Sequence, residues 1–288
     1  MGAIFGPAGN SDSFKEKYKS LEQVPDYLLS FGLSAFEYQC GRGVKINRQK
    51  AAAFGSQCRE ADIRLSVHAP YYISLSSVEE EKRDNSIRYI LQSLEAARTM
   101  GATRIVAHSG SCGKITREHA LELALDTIRR AVQAADEAGF GDIAICPETM
   151  GKVNQLGTLD EVLALCSVDE RLIPCIDFGH LNARTFGGLA TQQDYLDILD
   201  AIENKLGFDR LKVFHSHFSK IQYTLKGGEK LHLTFEDQEY GPEFEPLAEL
   251  IAKKNLSPTF ICESAGTQAE DAAEMKRMYE NYKKEKEL

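Results

Sequence analysis

Nothing in this sequence approaches the ~18 consecutive apolar residues of a membrane-spanning helix, and no basic segment leads into an apolar one near the N-terminus. The expected location is therefore the cytoplasm, with no membrane partner. The chain also lacks any C-x-x-C pair. Its seven cysteines are an odd number, and Cys58, Cys146, Cys166, Cys175 and Cys262 fall in apolar or helical stretches. Buried, reduced thiols packing as small hydrophobes are expected, which argues against a thiolate zinc site. Basic residues are in deficit: 34 Lys and Arg against 43 Asp and Glu leave a net charge of −9. That argues against a broad electrostatic grip on nucleic acid, which works by neutralising phosphates, though a local basic cleft assisted by bound cations is compatible with it. No G-x-G-x-x-G follows the first strand and there is no phosphate loop, so a dinucleotide-binding sheet loses ground.

What is present is a soluble-type composition, 43% apolar and 27% charged over 288 residues, with enough length for a large core. Short apolar runs alternate with longer segments of helical period. The strand candidates are residues 3–5, 35–38, 63–67, 104–107, 143–146, 172–176, 211–214 and 259–262. Between them, Ile87, Ile90, Leu91, Leu94 and Ala97 share one helical face, as do Leu121, Ala124, Leu125, Ile128, Val132 and Ala135. Gly101 and Gly139 stand where helix C-caps belong. Eight strands separated by helices imply parallel neighbours, and eight such units in this length fit a closed (β/α)8 TIM barrel of the α/β class, one domain over residues 1–288. Residues 221–240 form one long polar connection, a candidate active-site loop. Residues 283–288 read as a frayed, charged helix end.

In such a barrel, chemistry is built at the carboxyl ends of the strands. His68, His108, Glu148, Asp177, His215 and Glu263 each follow a strand candidate, and His180 comes three residues after Asp177. Singly, each has a plainer explanation: a hydrogen-bonded loop histidine, a helix N-cap, a solvated charge. Together they differ, because a barrel brings all its strand ends to one mouth. Imidazole and carboxylate donors suit Zn²⁺, Mn²⁺ or Fe²⁺. Crowding three carboxylates together costs Coulomb repulsion unless cations offset it.

The stretches His68-Ala-Pro-Tyr71, Ala107-His108-Ser-Gly110, Pro147-Glu148-Thr, Cys175-Ile-Asp177-Phe-Gly-His180, His215 through Lys220, and Cys262-Glu263-Ser run over nearly the whole chain. In this order and spacing the sequence resembles the endonuclease IV family, the metal-dependent AP endonucleases of the xylose isomerase-like barrel superfamily. The resemblance implies two to three zinc ions, with manganese as an alternative, and cleavage of DNA at abasic sites in repair. His68 and His108 would hold the first ion, with Glu148 bridging to a second that Asp177, His215 and Glu263 complete. His180 and His232 would serve the third. Glu148 and Glu263 are the candidate catalytic groups, and Tyr71 matches a tyrosine near the DNA.

One departure matters. The family's last motif is Asp-x-His, whereas here Glu229-Lys-Leu-His232 puts Lys230 at the Asp position. An ammonium does not ligate while charged. Glu229 is the expected substitute, with His217 and Asp237 as alternatives, and Lys230 then faces solvent or a substrate phosphate; otherwise the third site is lost and Lys230 supplies its charge. The loop Gln39-Cys-Gly-Arg42-Gly-Val-Lys45, followed by Arg48 and Lys50, is short, Gly-rich and basic, so Gln39 and Arg42 join Tyr71 and Lys230 as substrate-binding candidates. The competing expectation is a one-metal sugar or sugar-phosphate isomerase or epimerase on the same barrel, with Glu148 and Glu263 as acid–base groups. A ligand-bearing but silent scaffold is the third reading, disfavoured because unfilled carboxylate clusters cost stability. A monomer is expected.

Overall fold

The computed structural model describes residues 2–287, with side chains through Lys284. Among these residues ten strands occur: β1 (Ile4–Pro7), β2 (Ala35–Gln39), β3 (Arg64–His68), β4 (Arg104–Ala107), β5 (Ala144–Pro147), β6 (Cys175–Asp177), β7 (His215–Phe218), β8 (Ile221–Thr224), β9 (Gly228–His232) and β10 (Thr259–Cys262). The helices are α1 (Asp12–Lys17), α2 (Val24–Ser30), α3 (Arg48–Glu60), α4 (Glu80–Met100), α5 (Arg117–Glu137), α6 (Leu159–Cys166), α7 (Phe178–Arg184), α8 (Gln192–Leu206), α9 (Phe208–Lys212), α10 (Glu245–Lys253) and α11 (Gln268–Glu287).

Two four-stranded parallel sheets, β1-β10-β7-β6 and β2-β3-β4-β5, are joined by parallel bridges between Ala8 and Glu37 and between Glu148 and Cys175. The eight strands thus close into the expected barrel, and helices cover its outside. Ile87, Ile90, Leu94 and Ala97 of α4 are buried, with Leu91 half-buried beside them. On α5, Ala124, Ile128 and Ala135 are buried while Leu121, Leu125 and Val132 flank them half-exposed. Gly101 ends α4 in the left-handed region, φ 73°, which a residue with Cβ adopts only with strain. All seven cysteines are buried and free. Among the described residues no helix is long and apolar enough to cross a membrane.

Three expectations change. The strand expected at 211–214 is four residues late in the chain, at His215–Phe218, because Leu211 is claimed by the short helix α9. A four-residue run with three apolar side chains, Leu211, Val213 and Phe214, cannot by itself separate a buried strand from a helical turn. The strand expected at 172–176 is confined to Cys175–Asp177. The connection expected at 221–240 is half regular: β8 and β9 form an antiparallel hairpin through Gly227 and Gly228, bridged at Gly228 to Lys152. Of the expected charged tail, α11 carries the backbone through Glu287, and Leu288 lies outside the described residues.

Gly6 lies where β1 presses on β2. A Cβ there would stand 1.7 Å from the backbone oxygen of Ala35, and no side-chain motion relieves that clash. Gly6→Ala is therefore expected to cost about 3 kcal/mol, the upper part of the range for overpacking. A thermal midpoint within one degree of the parent would contradict the close approach.

Candidate metal centre

The carboxyl ends of the barrel strands converge on one cavity of about 610 Å³. Its lining includes His68, His108, Glu148, His180, Glu229, His232 and Glu263, with Gln39, Tyr71 and Lys152 nearer the rim. His68 ends β3, Asp177 ends β6 and His232 ends β9, while His108, Glu148 and Glu263 immediately follow β4, β5 and β10. The floor beneath is fully buried: Asp177, His217, His215 and Glu37.

Glu148 is the centre of the arrangement. Its Oε2 lies 3.3 Å from His68 Nε2 and 3.1 Å from His108 Nε2; its Oε1 lies 2.9 Å from His217 Nδ1 and 3.5 Å from His180 Nδ1. The rings are oriented from behind. His68 Nδ1–H donates to the Ala69 carbonyl at 2.8 Å and His180 Nδ1–H to the Thr149 carbonyl at 2.9 Å, so each presents its Nε2 lone pair to the cavity. His232 Nδ1 is paired with the Ser219 hydroxyl at 2.8 Å. Asp177 Oδ1 caps α7 by accepting the His180 N–H at 2.7 Å. Its Oδ2 is buried with no hydrogen bond, 3.2 Å from the His180 ring.

Imidazole lone pairs set against carboxylate oxygens at these separations repel unless a proton or a cation lies between them. In the ion-free protein protons serve. Burial opposes charge on His180, but Asp177, Glu229 and Glu148 outweigh it and hold its pKa up at about 9. Burial likewise opposes charge on His217, and Cys175, Glu263, Glu37 and Glu148 raise it well above its ordinary value. Glu148 stays ionised despite burial because His217, His108 and His68 surround it. Asp177 is pushed up to about 6, chiefly by burial.

The donor set fits metal ions. Five groups of ligand atoms lie close enough to share one: His68/His108/Glu148, Glu148/Asp177/His217/Glu263, Glu37/His68/His217/Glu263, His180/His232/Glu263 and Cys175/His215/His217. The first, second and fourth open on the cavity and are linked through Glu148 and Glu263. The orphaned Asp177 Oδ2 is one more oxygen that a cation would satisfy. A cation entering the cluster displaces protons, so its hold strengthens as pH rises.

At β9 the departure from Asp-x-His has a structural explanation. The hairpin register runs Gln222 against Leu231 and Tyr223 against Glu229, so Lys230 is an inserted bulge residue. Two residues there oppose one, which breaks the two-residue alternation of the strand. Lys230 and Leu231 consequently face solvent, and Glu229 joins His232 on the cavity side with Oε2 3.5 Å from His180 Nε2. Glu229→Ala is expected to lower the zinc count by one, read by elemental analysis after buffer exchange, whereas Lys230→Ala leaves it unchanged. The reverse result would put Lys230, not Glu229, at the site.

Of the other rim residues, Tyr71 stacks on His108 at 5.4 Å between centroids, and its hydroxyl donates to Gln39 Oε1 at 3.3 Å. Burial pushes the Tyr71 phenol up to about 12, so it stays a neutral donor. Arg42 and Lys230 are exposed and do not line the cavity.

The strand shift alters the candidate ligand set. His215 lies one layer below the mouth with Nε2 2.9 Å from Glu37 Oε2, and burial, opposed by that carboxylate, depresses it to about 4. It is not grouped with Asp177 and Glu263; His217, two residues nearer the mouth, takes that place. The alternation Phe214-His-Ser-His-Phe218 carries the signal. Both histidines share the barrel-facing side of one strand, and only the register decides which reaches the mouth. Glu37, on the inward face of β2, is the other site residue that strand-end reasoning passes over.

Comparison with known proteins agrees with this architecture. An uncharacterized protein of Methanocaldococcus jannaschii is 33% identical over 91% of both chains. A probable endonuclease 4 of Mycoplasma pneumoniae is 32% identical over 54% of this chain and 53% of its own. Among solved structures, endonuclease IV from Thermus thermophilus superposes with a TM-score of 0.65 at 20% identity, covering 92% of this chain and 95% of that one. A D-tagatose 3-epimerase-like protein superposes with 0.70 at 18% identity, covering 91% and 94%. Residues 25–282 match the description "xylose isomerase-like TIM barrel". The chain belongs to the xylose isomerase-like TIM barrel family.

Proposed function

We propose that this protein is a metal-dependent phosphodiester hydrolase that incises DNA at abasic sites, using two to three zinc ions held at the barrel mouth. The observation that carries the reading is the linkage of three ligand groups through Glu148 and Glu263. A single-ion enzyme has no use for His68, His108, His180 and His232 in addition to Asp177, His217 and Glu263. His68, His108 and Glu148 would hold one ion, Glu148, Asp177, His217 and Glu263 a second, and His180, His232 and Glu263 the third, with Glu229 beside His180 as a further oxygen donor. Bound there, zinc supplies Lewis-acid chemistry and neutralises charge at a phosphoryl group.

The chain's own residues prepare the site. Ala69 and Thr149 fix the tautomers of His68 and His180 through their carbonyls. Tyr71 stands over His108 at the mouth, placed to lie against a sugar or base. Lys152 lines the cavity, and Arg42, Lys45, Lys114, Lys226 and Lys230 are exposed on the loops after β2 and β4 and on the hairpin. Residues 39–50 and 108–116 contain no acidic side chain, so this side of the mouth is basic in a chain of net charge −9. Such an arc suits a phosphate backbone. The similarity to proteins named probable endonuclease 4 supports the same reading.

A sugar isomerase or epimerase is the second reading, favoured by a cavity volume in the range of small-molecule sites. The test is incision of a duplex carrying one abasic site by zinc-loaded protein, run beside ketose epimerisation. Incision that disappears in chelator and returns with Zn²⁺ or Mn²⁺ is expected. Intact abasic duplex together with sugar interconversion would transfer the assignment to the second reading.

A further inference from the structure

In the cavity floor lies a buried carboxylate that none of the three ions assigned above uses. Glu37 is fully buried on β2, and among the described residues no Lys or Arg side chain pairs with it. Burying an unpaired carboxylate is costly, so its oxygens must be satisfied locally. Four donors surround it. The Ser66 hydroxyl donates to Oε2 at 2.8 Å, His215 Nε2 lies 2.9 Å from Oε2, Gln39 Nε2 donates to Oε1 at 3.3 Å, and His217 Nε2 lies 2.9 Å from Oε1 in a bent approach. A carboxylate has about four lone-pair positions. Three of these donors hold Glu37 in place, and the fourth is the ring whose other nitrogen reaches the cavity.

We infer that Glu37, braced by Ser66, Gln39 and His215, is a positioning residue that selects the ligating nitrogen of His217 and holds that ring toward Asp177 and Glu263. A histidine ligates with a bare nitrogen, and which nitrogen is bare follows from what the other one bonds. Glu37 Oε1 lies 2.9 Å from Nε2 without forming a hydrogen bond, and its charge favours a proton there once a cation takes Nδ1. Nδ1 is turned to the mouth, hydrogen-bonded to Glu148 Oε1 at 2.9 Å and 3.6 Å from Glu263 Oε1. The brace reaches the surface as well: Tyr71 donates to Gln39, and Gln39 donates to Glu37, linking the rim to the floor in two hydrogen bonds. This rests on the metal-centre reading above.

The test compares zinc binding by parent, Glu37→Gln and Ser66→Ala, using competition with a fluorescent chelator, and reads the His217 tautomer by isotope-edited NMR of the histidine nitrogens. Glu37→Gln is expected to keep the zinc count at saturation but weaken one site roughly 10- to 100-fold, the usual size of such an outer-layer effect. The zinc-loaded parent shows the His217 proton on Nε2 alone, and Glu37→Gln shows both tautomers. Ser66→Ala, which removes one hydroxyl from the same carboxylate, gives a smaller loss in the same site even if the Gln variant folds poorly. Zinc affinity within threefold of the parent in both variants, or an unchanged tautomer, overturns the role of Glu37 while leaving the metal centre standing. A parent that takes up no zinc overturns both.

Discussion

Glu148→Gln is expected to reduce turnover at least a thousandfold while the barrel stays folded. Among the described residues Glu148 is the only side chain with oxygens facing four imidazoles, two on each side. Glutamine retains the length but replaces one oxygen with an NH₂ that donates toward nitrogens needing an acceptor or a cation. The two ligand groups that meet at this residue then lose their common oxygen pair. A thousandfold corresponds to about 4 kcal/mol of transition-state stabilisation. Circular dichroism should match the parent, since Glu148 faces the polar cavity and stands outside the hydrophobic core that α4 and α5 cover. A rate within tenfold of the parent, on whichever substrate the enzyme turns over, contradicts the bridging assignment.

The second large effect separates the two histidines of β7. His217→Ala is expected to remove one zinc per chain and to lower turnover by at least a thousandfold, because Asp177, Glu148 and Glu263 lose the only imidazole grouped with all three. His215→Gln retains an N–H donor for Glu37 and is expected to keep the full zinc count, with a rate loss of about tenfold through the brace. Elemental analysis and turnover on the same preparations read both. If the count falls in His215→Gln and holds in His217→Ala, β7 is registered two residues from where the structure has it, and the spacing His215 through Lys220 would have been the better guide.

Much of this centre is legible in the chain. His68, His108, Glu148, Asp177 and Glu263 sit at the ends of apolar runs, and a barrel of eight short parallel strands has one place to send them. Periodicity also marks the inward stripes of α4 and α5, since burying a helix face on a sheet leaves a repeat near 3.6 residues.

Two features were decided by the tertiary structure alone. Which histidine of His215-Ser-His217 reaches the mouth depends on strand register, and both alternatives leave the same alternation in the sequence; pairing of β7 with β6 and β10 settles it. Which of Glu229 and Lys230 joins His232 depends on a bulge in a two-stranded hairpin, and a bulge exists only relative to a partner strand. Glu37 belongs with these. An acidic residue in an apolar strand is read from the sequence as an outward-facing charge, and only closure of β2 against β1 and β3 places it under the candidate metal ligands, between His215 and His217. The sequence determined the donors and the barrel that gathers them, because burial and chain direction are local patterns. Depth, register and the pairing of one ligand with its brace come from contacts between strands far apart in the chain, and they became fixed only when the barrel closed.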